Sequence, residues 1–225
     1  MFLDITCAYY LHHMKIETLI PMQHTGAASN TAYSIELRNS AEAHKVFLHA
    51  RENLLDINKW HDLSGPGTAY FQLTDKNGNE AERMVMPGDY IRINIPGPSN
   101  AKTHFDWVIV EKVEEQVKHT YHVWTSITVR PAPSPIDQQK GTAHFFSEEA
   151  TSSFIVERKG VFVKACVLGR NEKVNEHSQN WLDTMRNTIV AFSAMLGFNK
   201  PQWKSLVKGI LRDSTQHELP GRRIA

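Results

Sequence analysis

Apolar residues recur at two different periods along this chain, and the places where the period changes limit what it can fold into. Ala43, Val46, Phe47, Ala50 and Leu54 fall three or four residues apart, the spacing of one helical face. Between Ala69 and Leu168 the spacing is mostly two, most cleanly where Ile91, Ile93 and Ile95 alternate with Tyr90, Arg92 and Asn94. The helical period then returns at Trp181, Met185, Ile189, Phe192 and Leu196. An antiparallel sheet with one apolar face needs a cover, and a helix long enough to cross it supplies one. The expected class is therefore α+β, and 225 residues suffice for one such core.

Turn and cap residues divide the pattern further. A short strand over 34–38 runs into Asn39-Ser40, an N-cap for the first helix, and Asp56 starts a second piece carrying Trp60 and Leu63 that Gly65-Pro66-Gly67 ends. Residues 69–74 and 82–86 read as a hairpin around Asp75-Lys76-Asn77-Gly78-Asn79. Strands follow at 105–117 and 120–130, and a second hairpin joins 152–157 to 161–168 around Arg158-Lys159-Gly160. The Pro-rich connection 131–150 is longer than usual and reads as a lid, an insertion or disorder. A last helix is capped by Asn199, with Trp203, Val207, Ile210 and Leu211 on one side and Lys200, Lys204, Lys208 and Arg212 on another. The expected organisation is an extension over 1–32, partly disordered, a domain over 33–197, and an amphipathic basic helix with a frayed tail over 198–225.

The strand Tyr33 to Asn39 leading into a Ser40-capped helix, the stretch Leu55-Asp56-Ile57-Asn58-Lys59-Trp60, and a final helix from Trp181 to Leu196 carry a family likeness. In this order of elements the chain resembles the START-like, or polyketide-cyclase-like (SRPBCC), superfamily from about Tyr33 to Gly197. The resemblance implies a helix-grip fold, a curved antiparallel sheet wrapped around a long C-terminal helix. It also implies a cavity between the two for lipids, sterols, polyketides or other apolar molecules. Some members of the superfamily are cyclases or hydrolases, and many only bind or carry. The long loop, the extra C-terminal helix and the N-terminal extension depart from the pattern.

Several function classes lose their signatures. Lys and Arg total 25 against 24 for Asp and Glu, and four cations on one helix face without interleaved aromatics do not make a nucleic-acid site. No stretch reaches the ~20 apolar residues of a membrane-spanning helix. Cys7 and Cys166 form no Cys-x-x-Cys pair, which fits a reducing cytoplasm. The twelve histidines include an adjacent pair, His12-His13, and His119 and His122 on opposite strand faces, so no metal or other cofactor is expected. Serine-elbow, phosphate-loop and dinucleotide fingerprints are absent. The N-terminus has no basic n-region and is not read as a signal peptide, and Met14 reads as a second translation start.

The candidate ligand-binding residues are Trp60, Arg92, His104, Asp106, Trp107, His122, Trp124, Arg130, Trp181, Met185 and Phe192. Each tryptophan either lines a pocket or packs a core. Asp106 stands two residues from His104, on the same strand face, where it can orient the imidazole. His122, Trp124 and Arg130 share one strand face, either a pocket wall that pairs a ligand carboxylate or the wet outer face of the sheet. Arg92 between Tyr90 and Asn94 poses the same question. Gly169-Arg170-Asn171-Glu172 reads as a strand-to-helix junction that fixes the angle of the next helix. The leading expectation is a cytoplasmic binding protein for an apolar or amphipathic small molecule. Two alternatives stand beside it: a cyclase- or hydrolase-like enzyme using His104, Asp106 or His122, and an interaction protein whose helix 199–212 contacts a partner, a membrane surface or a second copy.

Overall fold

A computed structural model describes residues 19–94, 105–117, 121–136, 147–173 and 200–218. Among these residues seven strands build one sheet: β1 (Ala27–Glu36), β2 (Tyr70–Thr74), β3 (Tyr90–Asn94), β4 (Asp106–Gln116), β5 (His122–Pro131), β6 (Thr151–Lys159) and β7 (Phe162–Glu172). The helices are α1 (Ser40–Leu55), α2 (Trp60–Ser64) after a 3-10 turn at Ile57–Lys59, and α3 (Lys200–Glu218). Every strand pair is antiparallel, in the order β1-β7-β6-β5-β4-β3-β2. A curved antiparallel sheet that takes a C-terminal helix against one face is the helix-grip arrangement, so the expected fold class holds.

Local chemistry accounts for the first turn of the chain around the core. Asn39 caps α1 by accepting from the Glu42 N–H at 2.9 Å, and Glu42 reaches back to the Arg38 N–H at 3.3 Å. Ala43, Val46, Phe47, Ala50 and Leu54 are all buried, the face that the spacing predicts. The Trp60 ring then turns back beneath α1 and donates its Nε1 hydrogen to the Leu54 carbonyl at 3.1 Å. On α3, Leu206, Val207, Ile210 and Leu211 are buried against α1, α2, β1 and β7. The Asn53 amide joins the two long helices, donating to the Ile210 carbonyl at 3.3 Å and the Asp213 carboxylate at 2.9 Å.

The helix Lys200–Glu218, expected as an extra, packs its apolar stripe into the core; the expected gripping helix 181–196 lies outside the described residues, as does Met14. The structure corrects the expected assignment in three places. Strand β1 starts at Ala27, within the expected extension, and its residues 27–36 pair along β7 as far as Glu172. The expected hairpin partner 82–86 is not a strand: β2 pairs with β3 instead. Asp75 closes an Asx turn onto the Asn77 and Asn79 N–H groups, Val85 buries its side chain and donates to the Leu55 carbonyl, and Arg83 clasps Asp89 at 2.6 and 2.8 Å. Finally, Gly169 to Glu172 belongs to β7 rather than to a helix junction. Among the described residues no helix is long and apolar enough to cross a membrane.

Candidate functional site

At one end of the sheet the strands and α3 do not close completely. The ends of β3, β5 and β7 and the beginnings of β1, β4 and β6 meet there, under the first turn of α3, around a partly open cavity of about 80 Å³. Its aromatic wall is a circuit of four rings. Trp60 lies 4.6 Å from Phe154 and 5.4 Å from Phe71, centroid to centroid, and Trp203 lies 5.3 Å from Phe154 and 6.3 Å from Phe71. The Trp60 N–H is already bonded to Leu54, so from this residue the wall offers a ligand an apolar ring. Ile91, Ile93, Val108, Val129 and Val167 complete the apolar lining from the sheet.

The polar side of the cavity contains two carboxyl groups, Asp106 and Glu172, with the Ser29 hydroxyl beside the second. Asp106 shares the face of Val108 on β4 and pairs in register with Ile93, so the strand alternation points it inward. Burial among apolar side chains pushes its carboxyl up to about 7. No described residue gives it a hydrogen bond. A carboxyl whose folded pKa is raised makes the fold less stable as pH rises above the unfolded value, so fold stability does not explain its placement.

Glu172 reaches the cavity through a break in the alternation. Val163, Ala165, Val167 and Gly169 share the inner face of β7, and regular alternation would send Asn171 inward and Glu172 outward. Instead Asn171 takes a left-handed φ of 55°. Between the pairs Ser29↔Gly169 and Ala27↔Glu172, β1 advances two residues while β7 advances three, so β7 carries one extra residue, a bulge. The bulge has its own anchor: the Asn171 side-chain oxygen accepts from the N–H groups of His24 and Thr25 at 2.7 and 3.1 Å, its amide donates to the Met22 carbonyl at 3.0 Å, and its backbone N–H donates to Gln23 at 3.0 Å. The Glu172 carboxylate then folds over Gly169, where a Cβ would overlap it, and accepts from Ser29 Oγ at 2.7 Å. Burial raises its pKa, and the Ser29 hydrogen bond and the Arg170 charge oppose that shift only in part.

Of the residues singled out from the sequence, the structure brings Trp60, Asp106 and Trp107 to this cavity. His104, Trp181, Met185 and Phe192 lie outside the described residues. The other four are elsewhere. Arg92 leaves on the opposite face of β3, bonds Glu80 at 2.7 Å and stands 4.9 Å over the Phe105 ring. Arg130 bonds Glu111 at 2.7 Å and the Glu148 carbonyl at 2.8 Å. With His122 and Trp124 it occupies the face of β5 opposite Val123, Ile127 and Val129, the residues that face the core.

That outer face is not wet as expected, since His122 and Trp124 are buried. His122 Nε2 meets Glu157 at 3.2 Å, and the Lys164 ammonium donates to the same carboxylate at 3.2 Å. Burial alone would raise Glu157, but these two partners outweigh it and hold the carboxyl below its usual range. Among the described residues, no group of three His, Cys, Asp or Glu is placed to hold a metal.

Sequence reasoning missed Glu172, Ser29, Phe71 and Phe154 as site residues, and took Trp203 only as part of an apolar helix face. The one available signal was Gly169 at an inward position of an otherwise regular strand, followed by an Asn that tolerates left-handed backbone.

No protein-family model matches this sequence, and no curated protein is significantly similar to it. Solved structures are similar at low identity. Truncated norcoclaurine synthase from Thalictrum flavum is 10% identical, with 90% of this chain and 100% of that chain covered and a TM-score of 0.39. The protein Ara h 8.0201 is 10% identical over 84% of this chain and 99% of its own, with a TM-score of 0.38. Ginseng major latex-like protein 151 from Panax ginseng is 15% identical over 87% and 100%, with a TM-score of 0.36. Likeness at this level says nothing of what the present chain binds.

Proposed function

We propose that this chain is a binding protein for an amphipathic small molecule, which it holds in the cavity between the sheet and the first turn of α3. The observation that carries the reading is the cavity itself, in which a four-ring wall faces two carboxyl groups at the end of the sheet. Side chains selected only for stability would close such a space, and a half-buried carboxyl whose ionisation burial opposes costs stability. Burial of the ligand's apolar body, at about 25 cal/mol per Å², drives binding, and the carboxyl groups fix its orientation. The partner-docking alternative needs the apolar face of α3, and that face is buried within the domain at Leu206, Val207, Ile210 and Leu211. The binding reading requires no turnover.

The test uses N-phenyl-1-naphthylamine, an uncharged probe that fluoresces on leaving water. Saturable one-to-one binding is expected. Val108→Trp, which projects a ring into the cavity from β4, is expected to weaken it by at least about tenfold, or about 1.4 kcal/mol. Val108→Phe is the milder second variant, and circular dichroism reports whether each is folded. Unchanged affinity in a folded variant of either kind would contradict the site.

A further inference from the structure

We propose that the cavity selects amphiphiles whose polar end is an ammonium group, with the carboxyls of Asp106 on β4 and Glu172 on β7 as two separate positions for the charge and the aromatic wall receiving the apolar body. The inference rests on the ligand-binding reading and adds the sign of the ligand's charge. Among the described residues, the lining includes Asp106, Glu172, Ser29, Thr151 and Ser152, and no Lys, Arg or His. An ammonium carries three donors and no acceptor, which matches two carboxyls of which Asp106 is bonded by no described residue and Glu172 feels the Arg170 charge without an ion pair to it. A carboxylate ligand in the same place would bring a like charge into an apolar enclosure beside two others, and is rejected by repulsion as well as by lack of partners.

The surrounding charges do not reverse this sign. On the strands beside Asp106, Arg92 and Arg130 stand on the opposite face, bound to Glu80 and Glu111. The neighbour of Glu172, Arg170, donates to the carbonyls of Ser29 and Gly169 and to the Asn30 side chain. From α2, β2 and α3 the lining groups are Trp60, Phe71 and Trp203, none of them titratable. The indole and phenyl faces add cation–π attraction to an ammonium held near them. Glu172 is also not a strand residue that happens to point inward: Asn171, four hydrogen bonds and a vacant Cβ position at Gly169 put it there. Bulges that re-aim a side chain are over-represented at sheet edges and beside active sites, and this one directs a carboxyl into a cavity.

The test compares three ligands with one apolar body, 1-naphthaleneethylamine, 1-naphthaleneethanol and 1-naphthaleneacetate, by titration calorimetry on the full chain. At about pH 8, where an alkylamine is still protonated, the amine is expected to bind at least about tenfold tighter than the acetate. In Glu172→Gln and Asp106→Asn, tested singly and together, the amine's advantage over the alcohol is expected to shrink to within about twofold, with the alcohol's own affinity changed little. Since the Asp106 carboxyl ionises at about 7, amine affinity is expected to rise from about pH 5.5 to about pH 8 and to lose most of that dependence in Asp106→Asn.

Acetate binding as tightly as the amine, or an amine advantage that survives in a folded double variant, would overturn the inference. Binding of N-phenyl-1-naphthylamine without amine preference overturns the charge assignment and leaves the binding reading intact. Failure of all four compounds overturns both.

Discussion

Gly209→Ala is expected to destabilise the fold by about 3 kcal/mol, the opposite sign from what its helical setting dictates. In an exposed helix interior the same change gains about 1 kcal/mol, because Ala has the higher helix propensity. Here a Cβ at position 209 would overlap the Leu63 carbonyl oxygen and crowd the Leu63 backbone behind it. The obstacle is backbone at the end of α2, so no side-chain rotamer relieves it, and α3 must lift away from α2. That movement loosens the packing of Leu206, Ile210 and Leu211 as well. Urea denaturation followed by circular dichroism measures the effect. A stabilised variant would mean that α3 does not dock on α2, and would remove the roof of the cavity along with it.

Trp60→Ala is expected to cost about 4 kcal/mol, which for a domain of this size lowers the melting temperature by about 8–16 °C. Trp60 is 1% exposed, touches the rings of Phe71 and Phe154, and is bonded to the Leu54 carbonyl, so its removal leaves both a void and an unpaired acceptor. The same variant is expected to change binding in the other direction. The void opens onto the cavity, and an apolar void that the fold cannot collapse takes up apolar molecules. At a temperature where the variant is folded, it should accept a bulkier aromatic ligand that the parent chain excludes. Trp60→Phe, which keeps most of the ring volume and loses the N–H, separates the two effects by losing less stability and gaining little capacity. Equal stability of Trp60→Ala and the parent would show that this ring does not hold the end of α1 on the sheet.

The parts of the fold that depend on period were legible in the sequence. The α1 face from Ala43 to Leu54, the alternation through Ile91 and Ile93, and the turn at Gly160 follow from local spacing and turn chemistry, and all three stand in the structure. Partner choice was not legible. The segment 200–218 carries an apolar stripe that does not say what it meets, and the feature that suits it to α2, Gly209, looks in sequence like a weak point in a helix. The β2 partner was misassigned for a related reason. Turn residues at 75–79 permit a tight hairpin, but Val85 is taken into the core and the Arg83–Asp89 pair closes a wider loop, and both interactions depend on tertiary contacts.

The candidate site was legible where it follows alternation and hidden where it departs from it. Asp106 and Trp60 emerged because a carboxyl on a strand and a tryptophan after a split helix are visible as local features. Glu172 did not, since its inward direction depends on one left-handed residue held by chain 146–149 positions away in sequence. Phe154 and Trp203 were hidden for another reason: an aromatic residue on an apolar face reads as core, and only the gap between four rings at the end of the sheet makes it a wall.

The binding site is tested most directly by methyl NMR on protein labelled at isoleucine and valine, titrated with N-phenyl-1-naphthylamine. The methyl groups of Ile91, Ile93, Val108, Val129 and Val167 line the cavity, while Val46 on α1 and Val123 on β5 are buried in the core and do not line it. Binding in the cavity is expected to shift the first set in a saturable, one-to-one manner and to leave Val46 and Val123 nearly unmoved. Saturable binding that leaves the first set unmoved, or no binding at all, would contradict a ligand site between the sheet and α3.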